Sequence, residues 1–196
     1  GYLSDEEIDT LCETIKANGG FVSMKANGDG TQSPYELNTT WFSALNPTDS
    51  SDPAELQVNR FVASRAVALV LRGVPGIYIL SMFASKNDVD AVLRDGVNRS
   101  INRSTLNEEC VIQMFLDQSS VERNIAEQYL QLLKLRVNEP AFHPNAPQEI
   151  LELGSEVFAV KRTSVDGSSE VLCVINVTNR KIQMNLPMGE IGMKGN

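Results

Sequence analysis

With 196 residues, 17 of them basic and 25 acidic, the chain is long enough for one domain or two small ones, and its net charge of −8 argues against a nucleic-acid surface. Three scattered cysteines, Cys12, Cys110 and Cys173, with no Cys-x-x-Cys pair and a single histidine, suggest reduced, buried thiols rather than a disulfide framework or a zinc site. No apolar run reaches the ~18 residues of a membrane span and the first residues have no signal-peptide character, so no membrane partner is expected and the cytoplasm is the default setting.

Ser4-Asp-Glu-Glu7 has the form of a capping box, and Ile8, Leu11, Cys12 and Ile15 recur on one face of the helix it opens. Asn18-Gly-Gly20 stops that helix. Residues 21–25 and 35–42 read as two strands, and the Gly-, Asn- and Asp-containing stretch 26–34 between them points to a hairpin-like excursion with an exposed tip. Asp52-Pro-Ala-Glu55 opens a further helix, apolar nearly all round from Leu56 to Leu71, which Gly73 ends. Residues 74–83 then read as a short strand buried on both faces. Helix, buried strand, polar loop, helix is the order of one unit of a parallel α/β fold, where ligands sit at the carboxyl ends of strands. Asn87, Asp88, Arg99, Asn102 and Arg103 lie on that side.

Two more helical patterns follow, 106–116 and 121–137, the second opened by Ser119-Ser-Val-Glu122 as a capping box, with Leu130, Leu133 and Val137 as its buried stripe. Pro140, Pro144 and Pro147 interrupt the pattern and place a domain boundary there. Beyond it, 150–153, 157–161, 171–177 and 181–186 are short strand patterns with turns at Gly154 and Asp166-Gly-Ser-Ser169, an antiparallel signature. Residues 188–196 show no clear element, and the sheet reads as unfinished.

Gly73-Val-Pro-Gly-Ile-Tyr78 resembles the eighth barrel strand of the α-amylase superfamily, glycoside hydrolase family 13. With Ser85-Lys-Asn-Asp88, Arg99-Ser-Ile-Asn-Arg103 and Ser33-Pro-Tyr-Glu-Leu-Asn-Thr-Thr-Trp-Phe-Ser-Ala-Leu45, the resemblance narrows to the sucrose phosphorylase-like branch and covers nearly the whole chain. The stretches around Glu36 and Arg99 look more like relatives acting on glucosylglycerate or on sucrose phosphorylated on fructose, and do not separate the two. Because a complete (β/α)8 barrel takes ~250 residues, the resemblance implies a fragment of α/β class. Residues 1–143 would be the C-terminal part of the barrel and 144–196 an incomplete antiparallel β-sheet domain. It also implies a retaining α-glucosyl phosphorylase, which converts an α-glucoside and phosphate into glucose 1-phosphate and a released acceptor. One carboxylate attacks the glucosyl carbon while another serves as acid and then base. The family carries those carboxylates on earlier strands, so no catalytic residue is assigned here, no cofactor or metal is implied, and the chain alone is expected to be inactive. Its partners would be the sugar, glucose 1-phosphate and phosphate, with a homodimer left open.

For the site, Arg99 matches the family's arginine at the glucosyl subsite, where a multi-donor guanidinium holds sugar hydroxyls and a neighbouring carboxylate. Its plainer reading is a surface arginine paired with Asp95. Tyr35 and Glu36 match a substrate-binding Tyr-Gln dipeptide on the acceptor side. Glutamate in place of glutamine puts plain fructose in doubt, and would repel a bare anion unless a cation or a hydroxyl-rich partner intervenes. Asn102 and Arg103 are read as loop-fixing residues, Asn87 and Asp88 as a helix cap or a pocket rim, and His143 as a packed linker residue. Trp41 and Phe42 offer a sugar-stacking platform, although alternation along a strand makes one of them core. The alternative to the phosphorylase reading is a non-catalytic carbohydrate-binding or dimerisation module.

Overall fold

The structure, a computed structural model, describes residues 2–186, 189 and 191–193. The chain divides into two units, Gly1–Gln57 with Ile77–Ala126 and Val58–Gly76 with Glu127–Asn196.

In the first unit, α1 (Asp5–Ala17) starts at the expected capping box: the Ser4 hydroxyl accepts from the Glu7 amide and the Glu7 carboxylate accepts from the Ser4 amide at 2.7 Å. The helix ends where Gly19 takes φ 76°. At Gly20 a β-carbon would lie 2.7 Å from the Ile15 side chain and 3.0 Å from the Asn38 carbonyl oxygen, so only glycine lets the chain run this close to the following hairpin. That hairpin pairs β1 (Phe21–Ala26) with β2 (Gln32–Asn38), antiparallel, and its turn is held by Asp29, whose carboxylate accepts from the amide and hydroxyl of Thr31. The register is interrupted: Ser23 faces Glu36 and Met24 faces Pro34, which leaves Tyr35 as the extra residue of a β-bulge.

The second strand stops at Asn38, short of the expected 42. The Thr40 hydroxyl accepts from the Ser43 amide and caps a short helix, α2 (Trp41–Leu45). Phe42 is buried and Trp41 is 46% exposed, so the pair divides as expected, through a helical turn instead of strand alternation. Next come α3 (Ala54–Val70), α4 (Ile79–Met82), α5 (Val89–Asp95), a 3-10 turn at Asn98–Asn102 and α6 (Glu108–Leu116). The strand expected over 74–83 is a correction. Residues 74–78 carry no regular element and 79–82 are helical. A strand exists by its ladder, and this stretch is hydrogen-bonded into neither sheet among the described residues. Val74 and Tyr78 therefore stay 83% and 52% exposed, while Leu80 and Ala84 are buried. Ala84 holds φ 49°, a left-handed conformation costing a non-glycine residue ~1–2 kcal/mol, just before Lys86, Asn87 and Asp88.

The second unit takes most of α3 and of α7 (Val121–Asn138), a 3-10 turn at Pro140–Phe142, and a three-stranded antiparallel sheet in the order β3 (Gln148–Leu151), β4 (Val157–Thr163), β5 (Glu170–Asn176). Gly167, at φ 73°, and Asp166 make the β4–β5 turn. The Asp166 carboxylate accepts from the hydroxyls of Ser164 and Ser168 and from the Ser168 amide, which lowers its pKa to about 2. Residues 181–186 form no strand, and within 188–196 positions 188, 190 and 194–196 lie outside the described residues. Three smaller expectations are corrected here. Ser120, not Ser119, accepts the Arg123 amide at the start of α7. The buried residues of that helix are Ile125, Ala126 and Tyr129, whereas Val137 is 82% exposed. Of the thiols expected to be buried, Cys12 is, whereas Cys110 is exposed and Cys173 half-buried.

Arg162, on β4, is fully buried, and among the described residues it has no carboxylate partner. It donates to backbone oxygens instead: Nε to Pro147, Nη1 to Val70 at 2.7 Å, and Nη2 to His143 and Ala146. Arg136, on α7, donates to the carbonyls of Leu69, Leu71 and Gly73, and both guanidiniums lie over the Phe142 ring. The last carbonyls of α3 have no intrahelical donors and form the negative end of its dipole, so two cations placed there satisfy both needs. Arg162→Met is expected to leave four carbonyls without these donors and to lower unfolding free energy by roughly 2–4 kcal/mol. Urea denaturation measures it, and an unchanged midpoint contradicts this account.

Candidate functional site

The Asn98–Asn102 turn packs against the β1–β2 hairpin and brings Arg99 to Glu36. Arg99 Nε lies 2.7 Å from Oε2 and 3.1 Å from Oε1 of that carboxylate. The Tyr35 phenol lies close enough to the same guanidinium to add to the upward shift of its pKa, and its residue is 63% exposed. Neighbours along a regular strand point to opposite faces. The bulge at Tyr35 is what lets two consecutive side chains meet one arginine. All three site residues expected from the sequence are thus brought together. Asp95, the alternative partner of Arg99, is engaged by Arg94 Nε at 3.0 Å and the Ser100 hydroxyl at 2.8 Å.

A polar lattice fixes this arrangement. The Asn98 amide donates to the Ser23 hydroxyl, which donates to the side-chain oxygen of Asn38 at 2.6 Å. Asn102 donates to the Thr39 carbonyl and receives on its own carbonyl the Tyr78 hydroxyl at 2.9 Å. Asn87 is the densest tie: its side-chain oxygen accepts from the Thr40 amide at 2.7 Å and from the Thr39 hydroxyl, its side-chain nitrogen donates to Gly19, and its backbone amide donates to Ser43 Oγ. Asp88 caps α5 through the Ala91 amide at 2.9 Å. In the second unit the His143 ring accepts from the Asn145 amide and its carbonyl serves Arg162, a linker's contacts. Ser23, Asn38 and Asn98 were not singled out from sequence. Asn38 was the available signal, because asparagine is a poor strand residue; in the structure it is buried and its side-chain oxygen accepts from the Ser23 hydroxyl.

Electrostatically, the Arg99 hydrogen bond holds the Glu36 carboxyl below its ordinary pKa, with smaller help from the charges of Arg99 and Arg103, while Glu36 raises that of Arg99. Glu36 takes up the Nε–H, and the guanidinium has four further N–H donors. A paired guanidinium and carboxylate edged by a phenol can bind hydroxyl groups through both donors and acceptors. Among the described residues, no three His, Cys, Asp or Glu side chains are grouped to hold a metal ion, and no helix is long and apolar enough to cross a membrane.

No protein-family model matches the chain. It is 41% identical over 179 residues to a glucosylglycerate phosphorylase of Spirochaeta thermophila, covering 91% of this chain and 30% of that protein. A glucosylglycerate phosphorylase of Allomeiothermus silvanus is 37% identical over 195 residues, 97% of this chain and 34% of that one. The chain is a homologue of these phosphorylases. It spans about a third of the length of these relatives. In fold it matches the sucrose 6F-phosphate phosphorylase of Thermoanaerobacter thermosaccharolyticum with a TM-score of 0.63, over 95% of this chain and 37% of that one, at 17% identity. The expected fold class stands: the C-terminal part of a (β/α)8 barrel followed by an antiparallel β-sheet.

The depressed Glu36 pKa fixes the sign of a pH effect. The stabilisation is present above the unfolded carboxyl value of ~4.3 and is lost as pH falls through the folded value. By NMR titration Glu36 is expected to titrate below ~4.3 and to move up toward it in Arg99→Gln. An identical titration in the variant contradicts the pairing.

Proposed function

We propose that the protein carrying this chain is a retaining α-glucosyl phosphorylase, and that its α-glucoside is glucosylglycerate. The supporting observation is the 41% identity to a glucosylglycerate phosphorylase across 91% of the chain. The convergence of Tyr35, Glu36 and Arg99 on one exposed spot supports a sugar site at that place. In this reading Arg99 donates to glucosyl hydroxyls, Glu36 fixes the guanidinium plane and Tyr35 edges the acceptor side. The reaction keeps anomeric configuration: a carboxylate displaces the acceptor from the glucosyl carbon, and phosphate oxygen then displaces the carboxylate, giving glucose 1-phosphate.

Residues 1–143 are taken as the last barrel elements and 144–196 as part of the β-domain, a division supported by the start of the three-stranded sheet at Gln148. In the complete barrel, residues 74–78 would gain the strand neighbours that their exposed apolar side chains call for. The three free thiols accord with a cytoplasmic setting.

The protein is to be supplied with phosphate and, in turn, glucosylglycerate, sucrose 6′-phosphate and sucrose. Phosphate-dependent release of glucose 1-phosphate from glucosylglycerate is expected, with kcat/KM falling roughly a hundredfold or more in Arg99→Gln. Silence on all three, with hydrolysis of another α-glucoside, overturns the assignment.

A further inference from the structure

Two guanidiniums sit on the turn that builds the candidate site, and one carboxylate stands opposite them. Glu36 takes Arg99 directly, at 2.7 Å. Arg103, at the end of the same turn, is exposed and has no side-chain partner among the described residues, although its charge reaches the Glu36 carboxylate. The group Glu36, Arg99 and Arg103 therefore carries one surplus positive charge in a chain whose net charge is −8. A carboxylate at position 36 repels an incoming anion unless cations outweigh it. Here they do: Arg99 cancels Glu36, and Arg103 remains with all five N–H donors of a guanidinium, the side chain best matched to a planar or tetrahedral oxyanion.

Resting on the phosphorylase reading, we propose that Arg103 is a specificity-determining residue that binds an oxyanion of the second substrate, either the carboxylate of glycerate or inorganic phosphate. It divides the labour of the turn: Arg99, neutralised by Glu36, faces uncharged hydroxyls, and Arg103 faces charge. Its expected role as a loop-fixing residue is replaced, since Asn98 and Asn102 carry the ties between the turn and the hairpin.

The test uses the protein carrying this chain, as Arg103→Gln and Arg103→Lys. Phosphorolysis is measured with phosphate varied, and synthesis from glucose 1-phosphate with either glycerate or its neutral counterpart glycerol varied. Arg103→Gln is expected to raise the KM of one anion roughly tenfold or more, with kcat within about twofold and glycerol unaffected, and the lysine variant is expected to recover part of the loss. A change confined to phosphate identifies phosphate as the ligand, and one confined to glycerate identifies the acceptor carboxylate. Both constants unchanged overturn the proposal, and so does loss of fold in Arg103→Gln, which makes the residue structural. If the wild-type protein releases no glucose 1-phosphate, the phosphorylase reading fails separately. NMR titration of the arginine side chains with phosphate and with glycerate then decides: weaker binding in Arg103→Gln supports oxyanion capture, and equal binding overturns it.

Discussion

The bond between Glu36 and Arg99 closes a loop of 63 residues, and the candidate site exists only while it is closed. An ion pair this exposed supplies ~0–1 kcal/mol by itself, too little to order two long side chains against their rotamer entropy. What makes it a fixed feature is the lattice beneath. Ser23, Asn38 and Asn98 form one chain of hydrogen bonds, Asn102 holds Thr39, and Asn87 joins the hairpin end, the start of α2 and the end of α1. The backbones that carry the two charges are thus set before the charges meet. Little remains for the pair to order.

The same principle recurs in the second unit with different chemistry. There Arg162 and Arg136 hold backbone oxygens of α3, and Arg162 also holds those of the proline-containing segment 143–147. In both units polar side chains reach main-chain groups across long sequence separations, because the described residues contain only a two-stranded and a three-stranded sheet. Neither sheet is large enough to tie the helices and loops together by its own ladder. The placement of Tyr35 follows from one of these small sheets: a single extra residue in β2 brings neighbouring side chains to one guanidinium.

Local chemistry was the most legible part of the sequence. The Ser4 and Glu7 box, the stop at Gly19 and the turn at Asp166 depend on residues within a few positions of each other, and each formed where the pattern placed it. Elements whose identity depends on distant partners were harder. Residues 74–83 have strand composition, but composition does not provide a ladder, and 79–82 went to helix. Trp41 and Phe42 continue an apolar alternation, yet the Thr40 cap captured them for α2. The stripe of α7 was misassigned: Leu130, Leu133 and Val137 share one helical spacing, but burial falls on the neighbouring face of Ile125, Ala126 and Tyr129, and Leu130 and Val137 stay exposed. At the site, Arg99, Tyr35 and Glu36 were found through likeness to known enzymes, whereas the bulge and the Ser23, Asn38, Asn98 chain needed three-dimensional registration. No periodicity signals a pairing between a hairpin and a turn some sixty residues away.

The central claim is that Arg99, held by Glu36, faces the sugar. A crystal structure of the protein carrying this chain, soaked with glucose 1-phosphate, tests it most directly. The account predicts glucosyl hydroxyls within hydrogen-bond distance of the Arg99 guanidinium while its Nε stays on the Glu36 carboxylate. A sugar bound elsewhere, with Arg99 and Glu36 paired toward solvent and untouched, would contradict it.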